Sequence, residues 1–250
     1  MNTENEFYTS ISEYYDYIFP YNPKQMEFIK SITEEQEIQN VLDIGCGTGN
    51  LALEMAKEGY EVYGVDSDTH MIATALDKKR GLGFMQSPRF RELDMEKLSK
   101  FFSSNKFDVA SCFGNTLPHL LTFENIEEFL KSVSIVLQSG AHFAIQILNY
   151  DYILDNQIEE LPLKETDDIR FERYYEYPDN SELIDFRTKL TLKNMDQVIE
   201  NQISLFPVGR SDLKSMLEEA GFKNIEFYSD FNKSPYKKDS YPLIVDCHKK

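Results

Sequence analysis

No tryptophan occurs in the chain of 250 residues, cysteine occurs three times, and nowhere does an apolar run approach the roughly 20 residues that a bilayer span requires. Cys46, Cys112 and Cys247 are odd in number and lack CxxC spacing, so neither a disulfide framework nor a zinc site is expected. They read as reduced thiols buried in the fold, and no metal is called for. Basic residues are outnumbered, 26 Lys and Arg against 43 Asp and Glu, and the net charge of −17 repels a phosphate backbone. DNA and RNA are therefore not expected partners. The stretch from Met1 to Glu6 is polar, without the charged-then-apolar order of a signal peptide. The expectation is a cytoplasmic protein with no membrane association; nothing speaks to its oligomeric state. What the chain has in quantity is aromatic residues, 18 Phe and 15 Tyr within an apolar fraction of 41%, enough for one large domain or a domain with a sizeable insertion.

The first forty residues are rich in aromatics, among them Tyr8, Tyr14, Tyr15 and Tyr21, and include a predicted helix over 23–32; they read as an N-terminal cap. From Val41 short apolar runs alternate with helical periodicity, the pattern of an α/β parallel sheet with crossover helices. Strands are predicted at 41–44, 61–65, 89–93, 107–113 and 141–148, with helices at 48–58, 69–79 and 122–137. After Asn149 the alternation breaks. Residues 150–207 give β-rich pieces at 169–177, 183–192 and 198–206, separated by turn-forming Pro178-Asp179-Asn180 and Lys193-Asn194-Met195-Asp196. They are expected to form a small antiparallel β insert. The α/β pattern then resumes, with Ser211 as N-cap of a helix that ends at Gly221 and strands near 223–229 and 241–248. The expected division is 1–149 with 208–250 as the main domain and 150–207 as the insert.

The most informative segment is Val41-Leu-Asp-Ile-Gly-Cys-Gly-Thr-Gly49, a strand running into three glycines and then a helix. Glycine lets the backbone turn sharply and approach a ligand that a Cβ would block, which places a nucleotide-sized cofactor at the carboxyl end of the first strand. Dinucleotide sites use G-x-G-x-x-G and put a pyrophosphate on the helix N-terminus. Here the spacing is G-x-G-x-G, and Asp43 sits two residues before the first glycine. Its carboxylate opposes pyrophosphate and favours a cation such as the sulfonium and ammonium of S-adenosylmethionine. No Gly-Lys-Ser/Thr follows, so this is not a phosphate-binding P-loop. Asp66 ends the second strand, where a carboxylate can accept both ribose hydroxyls. Asp94 follows the third, placed to accept from an adenine amino group.

On these residues, together with Phe107-Asp-Val-Ala-Ser-Cys112 and Leu217-Glu-Glu-Ala-Gly-Phe222, the chain resembles class I S-adenosylmethionine-dependent methyltransferases outside the insert. The resemblance implies a Rossmann-like seven-stranded sheet with helices on both faces and an antiparallel last strand. It assigns Asp43, Gly45, Gly47 and Gly49 to the methionine end of the cofactor, Asp66 and Ser67 to the ribose, Met71 to adenosine packing, and Asp94 with Met95 to the adenine. Cys46 and Phe113 complete the cofactor set, and S-adenosylhomocysteine is the implied product.

Cys112-Phe-Gly-Asn-Thr-Leu-Pro-His-Leu120 and Asn149-Tyr-Asp-Tyr-Ile-Leu154 leave the fourth and fifth strands and look like the corresponding segments of glycine N-methyltransferases and their sarcosine-methylating relatives. In that family an arginine just before the Asn-Tyr-Asp-Tyr run holds the substrate carboxylate. Here that position is Leu148, which cannot; Arg170, Arg173 or Arg187 of the insert could substitute. Asn115-Thr-Leu-Pro118 is not the turn of nucleobase or protein-glutamine methyltransferases, so a small molecule is the expected acceptor. The insert, with Phe171, Tyr174, Tyr175, Tyr177, Phe186 and Phe206, would be the lid over its pocket. His119 is the best placed of the four histidines for a base, Asn115 shares its loop, and Tyr15-Asp16 resembles an early Tyr-Asp pair whose phenol reaches the methionine moiety. Lys24, Tyr8 and Tyr21 are lesser candidates for closing the site; His142 and His248 read as structural, and His70 as a neighbour of the adenine. The expected function is methyl transfer to a small molecule, at an amine nitrogen rather than an oxygen. The alternatives are an O-methyltransferase, a non-catalytic S-adenosylmethionine-binding module and, less favoured, a nicotinamide oxidoreductase.

Overall fold

The computed structural model describes residues 3–34, 36–195 and 197–250, with side chains from Phe7 onward. The expectation of a leaderless N-terminus rests partly on Met1 and Asn2, and the predicted turn at 193–196 ends on Asp196; these positions lie outside the described residues. The chain opens with α1 (Thr3–Ile11), α2 (Tyr15–Ile18) and α3 (Pro23–Ile32). There follow β1 (Asn40–Ile44), α4 (Asn50–Lys57), β2 (Glu61–Asp66), α5 (Thr69–Gly81), β3 (Arg89–Glu92), α6 (Leu98–Phe101), β4 (Phe107–Cys112), α7 (Phe123–Val136) and β5 (Leu137–Leu148). Next come α8 (Tyr150–Asp155), β6 (Lys164–Glu165), β7 (Ile169–Glu176), β8 (Ile184–Leu192) and β9 (Gln197–Leu205), then α9 (Arg210–Glu219), β10 (Phe222–Tyr228) and β11 (Pro242–Lys249).

The strands form a seven-stranded sheet in the order β10-β11-β5-β4-β1-β2-β3 and a four-stranded antiparallel sheet in the order β6-β7-β8-β9. In the larger sheet β1 to β5 pair in parallel, and β11 runs antiparallel between β5 and β10. Because β1 has β4 on one side and β2 on the other, the crossovers diverge there and leave a crevice at the strands' carboxyl ends. Period-two pleating sends Val41 and Val109 to the face packed by Phe28 and Met55, and Leu42 and Ala110 to the face packed by Phe129 and Leu130. Both faces are thus covered by helices, which is what apolar parallel strands require.

Local signals explain most boundaries. Asn22 caps α3 by accepting from the Lys24 N–H, with Pro23 at the first helical position; Asp68 caps α5 through Met71 and Thr122 caps α7 through Asn125. Two expectations need correcting. The helix expected from Ser211 begins at Arg210, with Gly209 as N-cap: the Asp151 carboxylate accepts from the Arg210 N–H at 3.2 Å, and a Cβ on residue 209 would lie 2.6 Å from Asp151 Oδ1. Asp94 follows β3, as expected, and caps the short 3-10 turn Met95–Lys97. The insert also opens with a helix, α8, and carries the two-residue strand β6, neither of which alternation reveals. Its apolar face, including Phe171, Tyr175 and Leu205, joins the same core as Phe7 and Ile11 of α1.

Candidate active site

Two cavities meet at the carboxyl edge of the large sheet, a cleft of about 220 Å³ and a chamber of about 350 Å³. Tyr8, Tyr15, Gly45, Phe113, Gly114 and His119 line both, so the two adjoin across these residues. Gly47, Asp66, Ser67, Met71, Asp94 and Met95 line the cleft; Asp43, Cys46, Thr48, Asn115 and Leu148 line the chamber. Gly49 lines neither. With φ +80° its missing Cβ would lie 2.5 Å from the Phe90 ring, so its work is to let α4 pack against β3. Gly47, at φ +53°, instead faces the Tyr15 ring, 3.3 Å from where its Cβ would be.

The glycine turn is held by acids. Asp66 accepts the Gly47 N–H at 2.8 Å and the Asp68 N–H at 3.0 Å, which ties the loop to the end of β2; enclosure raises its pKa. Asp43 is buried, accepts from Ser111 Oγ at 2.9 Å and, among the described residues, has no cation partner. Burial, only partly offset by Ser111, pushes its pKa up to about 7. Asp16 accepts from Thr48 Oγ1 at 2.5 Å and Asn50 Nδ2 at 2.9 Å and pairs with Lys78, which staples the N-terminal cap to the loop and sets Tyr15 beneath Gly47. Burial and then the acids Asp66 and Asp16 raise the Tyr15 pKa, so its phenol stays protonated at neutral pH.

Asn115, in the left-handed region at φ 66°, bridges two strand ends. It donates through Nδ2 to Tyr150 Oη at 2.9 Å and accepts from the Leu148 N–H at 2.9 Å. His119 Nε2 lies 2.9 Å from Tyr8 Oη. From the smaller sheet, Phe171, Tyr175, Phe186 and Leu205 wall the chamber, whereas Tyr177 and Phe206 do not and Tyr174 takes the opposite face of β7. Arg173 and Lys164 also enter the chamber; Lys164 carries no sequence signal beyond being a basic residue near the insert's aromatics. Lys24 and His70 are exposed and line neither cavity. His142 and His248 sit at the opposite edge of the sheet with Asp246, their ligand atoms within 4.8 Å of one another; His142 Nδ1 is 2.9 Å from Asp246 and its Nε2 3.2 Å from Gln36.

Residues 41–140 match the family model of a methyltransferase domain. The glycine/sarcosine N-methyltransferase of Aphanothece halophytica is 26% identical over 99% of this chain and 91% of its own. Among solved structures, an S-adenosylmethionine-dependent methyltransferase from Clostridium acetobutylicum superposes with TM-score 0.81 at 19% identity, over 97% of this chain and 98% of that one. The CcbJ methyltransferase of Streptomyces caelestis superposes with TM-score 0.79 at 18% identity, over 96% of each chain. These likenesses support a class I S-adenosylmethionine-dependent methyltransferase. The residues present fit the cofactor: a buried carboxylate without a cation partner stands where the charged methionine end belongs, and a cleft with acids at two strand ends stands where adenosine does. Among the described residues of this methyltransferase, no helix is long and apolar enough to cross a membrane.

Proposed function

We propose that the enzyme methylates the nitrogen of a small-molecule amine bound in the chamber. The observation that carries this reading is that the two cavities adjoin: Tyr15 and Gly45 line both, so an acceptor in the chamber would lie next to the methionine end of a cofactor in the cleft. Bound S-adenosylmethionine supplies a methyl on a sulfonium leaving group. The chain's own task is then alignment and exclusion of water, which can supply much of the rate. Asp43 with the backbone of Gly45 and Gly47 would hold the methionine end, Asp66 and Ser67 the ribose, and Met71, Asp94 and Met95 the adenine. Residues 1–149 with 208–250 would serve as the cofactor-binding domain, and the insert 150–207 as the lid.

Nitrogen is favoured over oxygen because an uncharged amine needs no base as the bond forms. Burial raises the Tyr150 pKa to about 12 and pushes that of Tyr175 up as well, so both phenols stay protonated and serve as donors or walls rather than bases. Asn115, fixed between Tyr150 and Leu148, offers an amide to orient the acceptor. His119 is the specific feature that would serve a hydroxyl acceptor, since its ring reaches both cavities. The net charge of −17 supports a small molecule over a nucleic acid. The test is transfer of label from the cofactor to a panel of amines, amino acids and phenols. Methylated amines are expected; transfer to phenols alone would replace this reading with O-methylation through His119.

A further inference from the structure

We infer that the acceptor carries a compact oxyanion, a carboxylate or a phosphate, gripped by Arg173 and Lys164 at the lid end of the chamber. The inference rests on the amine-methylation reading above and adds the chemistry of the group at the acceptor's other end. In a chain with 43 acids against 26 bases, two partly enclosed basic residues share one cavity. Among the described residues neither has a carboxylate within ion-pair distance. Arg173 Nε is buried with no hydrogen-bond partner, while another guanidinium nitrogen donates to the Pro162 carbonyl at 2.7 Å. Lys164 Nζ donates to the Ile18 carbonyl at 3.0 Å and stands 4.6 Å over the Phe19 ring. Burial, and then the nearby Arg173 charge, pull the Lys164 pKa down to about 8. Two half-buried like charges without a counter-ion carry a cost that a bound anion removes.

The other candidate arginines show the contrast. Along β7, side chains alternate between faces, so Arg173 shares the inward face with Phe171 and Tyr175, and Arg170 points outward to Glu172. Arg187 of β8 pairs with Glu176 at the surface, while its neighbour Phe186 faces the chamber. Of the three arginines, Arg173 alone lines the cavity, and its planar fork suits an oxyanion better than a point charge does. The only carboxylate lining the chamber among the described residues is Asp43, at the cofactor end. The chamber is therefore acidic where methyl transfer would occur and basic at the lid, the polarity of a molecule with an amine at one end and an oxyanion at the other.

The test compares matched pairs on protein loaded with S-adenosylhomocysteine: glycine against methylamine for a carboxylate, and phosphoethanolamine against ethylamine for a phosphate. Binding is read by calorimetry, and methyl transfer is read separately with labelled cofactor. At least one anion-bearing member is expected to bind about tenfold or more tightly than its partner, and which pair does so identifies the oxyanion. That preference should collapse in Arg173→Gln, weaken in Lys164→Gln, survive partly in Arg173→Lys, and stay intact in the outward Arg170→Gln. Should Arg173→Gln not fold, Lys164→Gln and Arg173→Lys carry the comparison. Equal affinity within both pairs, or a preference indifferent to both positions, overturns the inference. Anion binding that depends on Arg173 with no methyl transferred to any amine would leave the anion site standing and remove the amine reading; transfer to amines without an anion preference would do the reverse.

Discussion

The two ends of the chamber are mirror images in charge. At the cofactor end a buried carboxylate, Asp43, is shifted up to about 7; at the lid end an enclosed ammonium, Lys164, is shifted down to about 8. Burial is the first cause in both, and each group is driven toward its neutral form because nothing of opposite sign is close enough to compensate. In a folded chain such arrangements lower stability, so they point to charge supplied from outside: a cation beside Asp43, an anion beside Lys164 and Arg173. The largest expected effect breaks the first half of this pairing. Asp43→Asn should weaken cofactor binding by about a hundredfold, roughly 3 kcal/mol, since truncating one partner of a buried charge contact costs about 2–5 kcal/mol. Calorimetry measures it.

The same substitution should act oppositely on the unliganded protein. A carboxyl group whose folded pKa lies above its unfolded value makes the folded state bind more protons between about 4 and 7, so its contribution falls as pH rises through that window and stays low above it. Asp43→Asn removes that loss while Ser111 keeps a neutral acceptor, so the variant should melt higher than the parent at pH 8 and no higher at pH 4. A lower melting temperature at pH 8 would show that the carboxylate stabilises the empty fold, and the comparison between the two ends would fail.

The next effect ties the two ends together. Cofactor binding favours Asp43 ionised, so affinity should fall by up to about tenfold per pH unit below about 7 and level off near the loss seen in Asp43→Asn. A charged Lys164 adds to the grip of Arg173 on the anion, so acceptor affinity should fall in part as pH rises above about 8. Titrations of the two ligands should therefore slope in opposite directions, with Lys164→Gln flattening the alkaline limb alone.

The cofactor end was legible in the sequence because its parts are close together: a strand, three glycines, and acids after the next two strands all fall between residues 41 and 95. Reading stopped short where a neighbour far along the chain decides the role, as with Gly49, whose Cβ space is filled by Phe90, and Gly209, which yields to Asp151. The chamber was harder, since it is assembled from the N-terminal cap, two strand-end loops and the insert. Its inward-facing arginine was nonetheless within reach: Arg173 lies between Phe171 and Tyr175 at strand spacing, so if those rings face inward it does too. Lys164 was not, because a two-residue strand has no period to read.

The smallest effect asks whether the cap serves one end or both. Asp16 holds Thr48, Asn50 and Lys78, and although burial alone would raise its pKa, those three partners hold it below the usual carboxylate range. A lowered folded pKa means that its contribution is full above about pH 4 and is lost as pH falls further. The group is half-exposed, so screening limits Asp16→Asn to about 1 kcal/mol of stability. Its effect on ligands should be unequal. Thr48 and Asn50 flank Gly49 in the loop, and Tyr15 packs on Gly47, so cofactor affinity should fall several-fold. Arg173 and Lys164 are anchored instead by the Pro162 and Ile18 carbonyls, so the preference for an anion-bearing acceptor should survive. If that preference fell in step with cofactor affinity, the cap would couple the two ends, and they would have to be treated as one site rather than two.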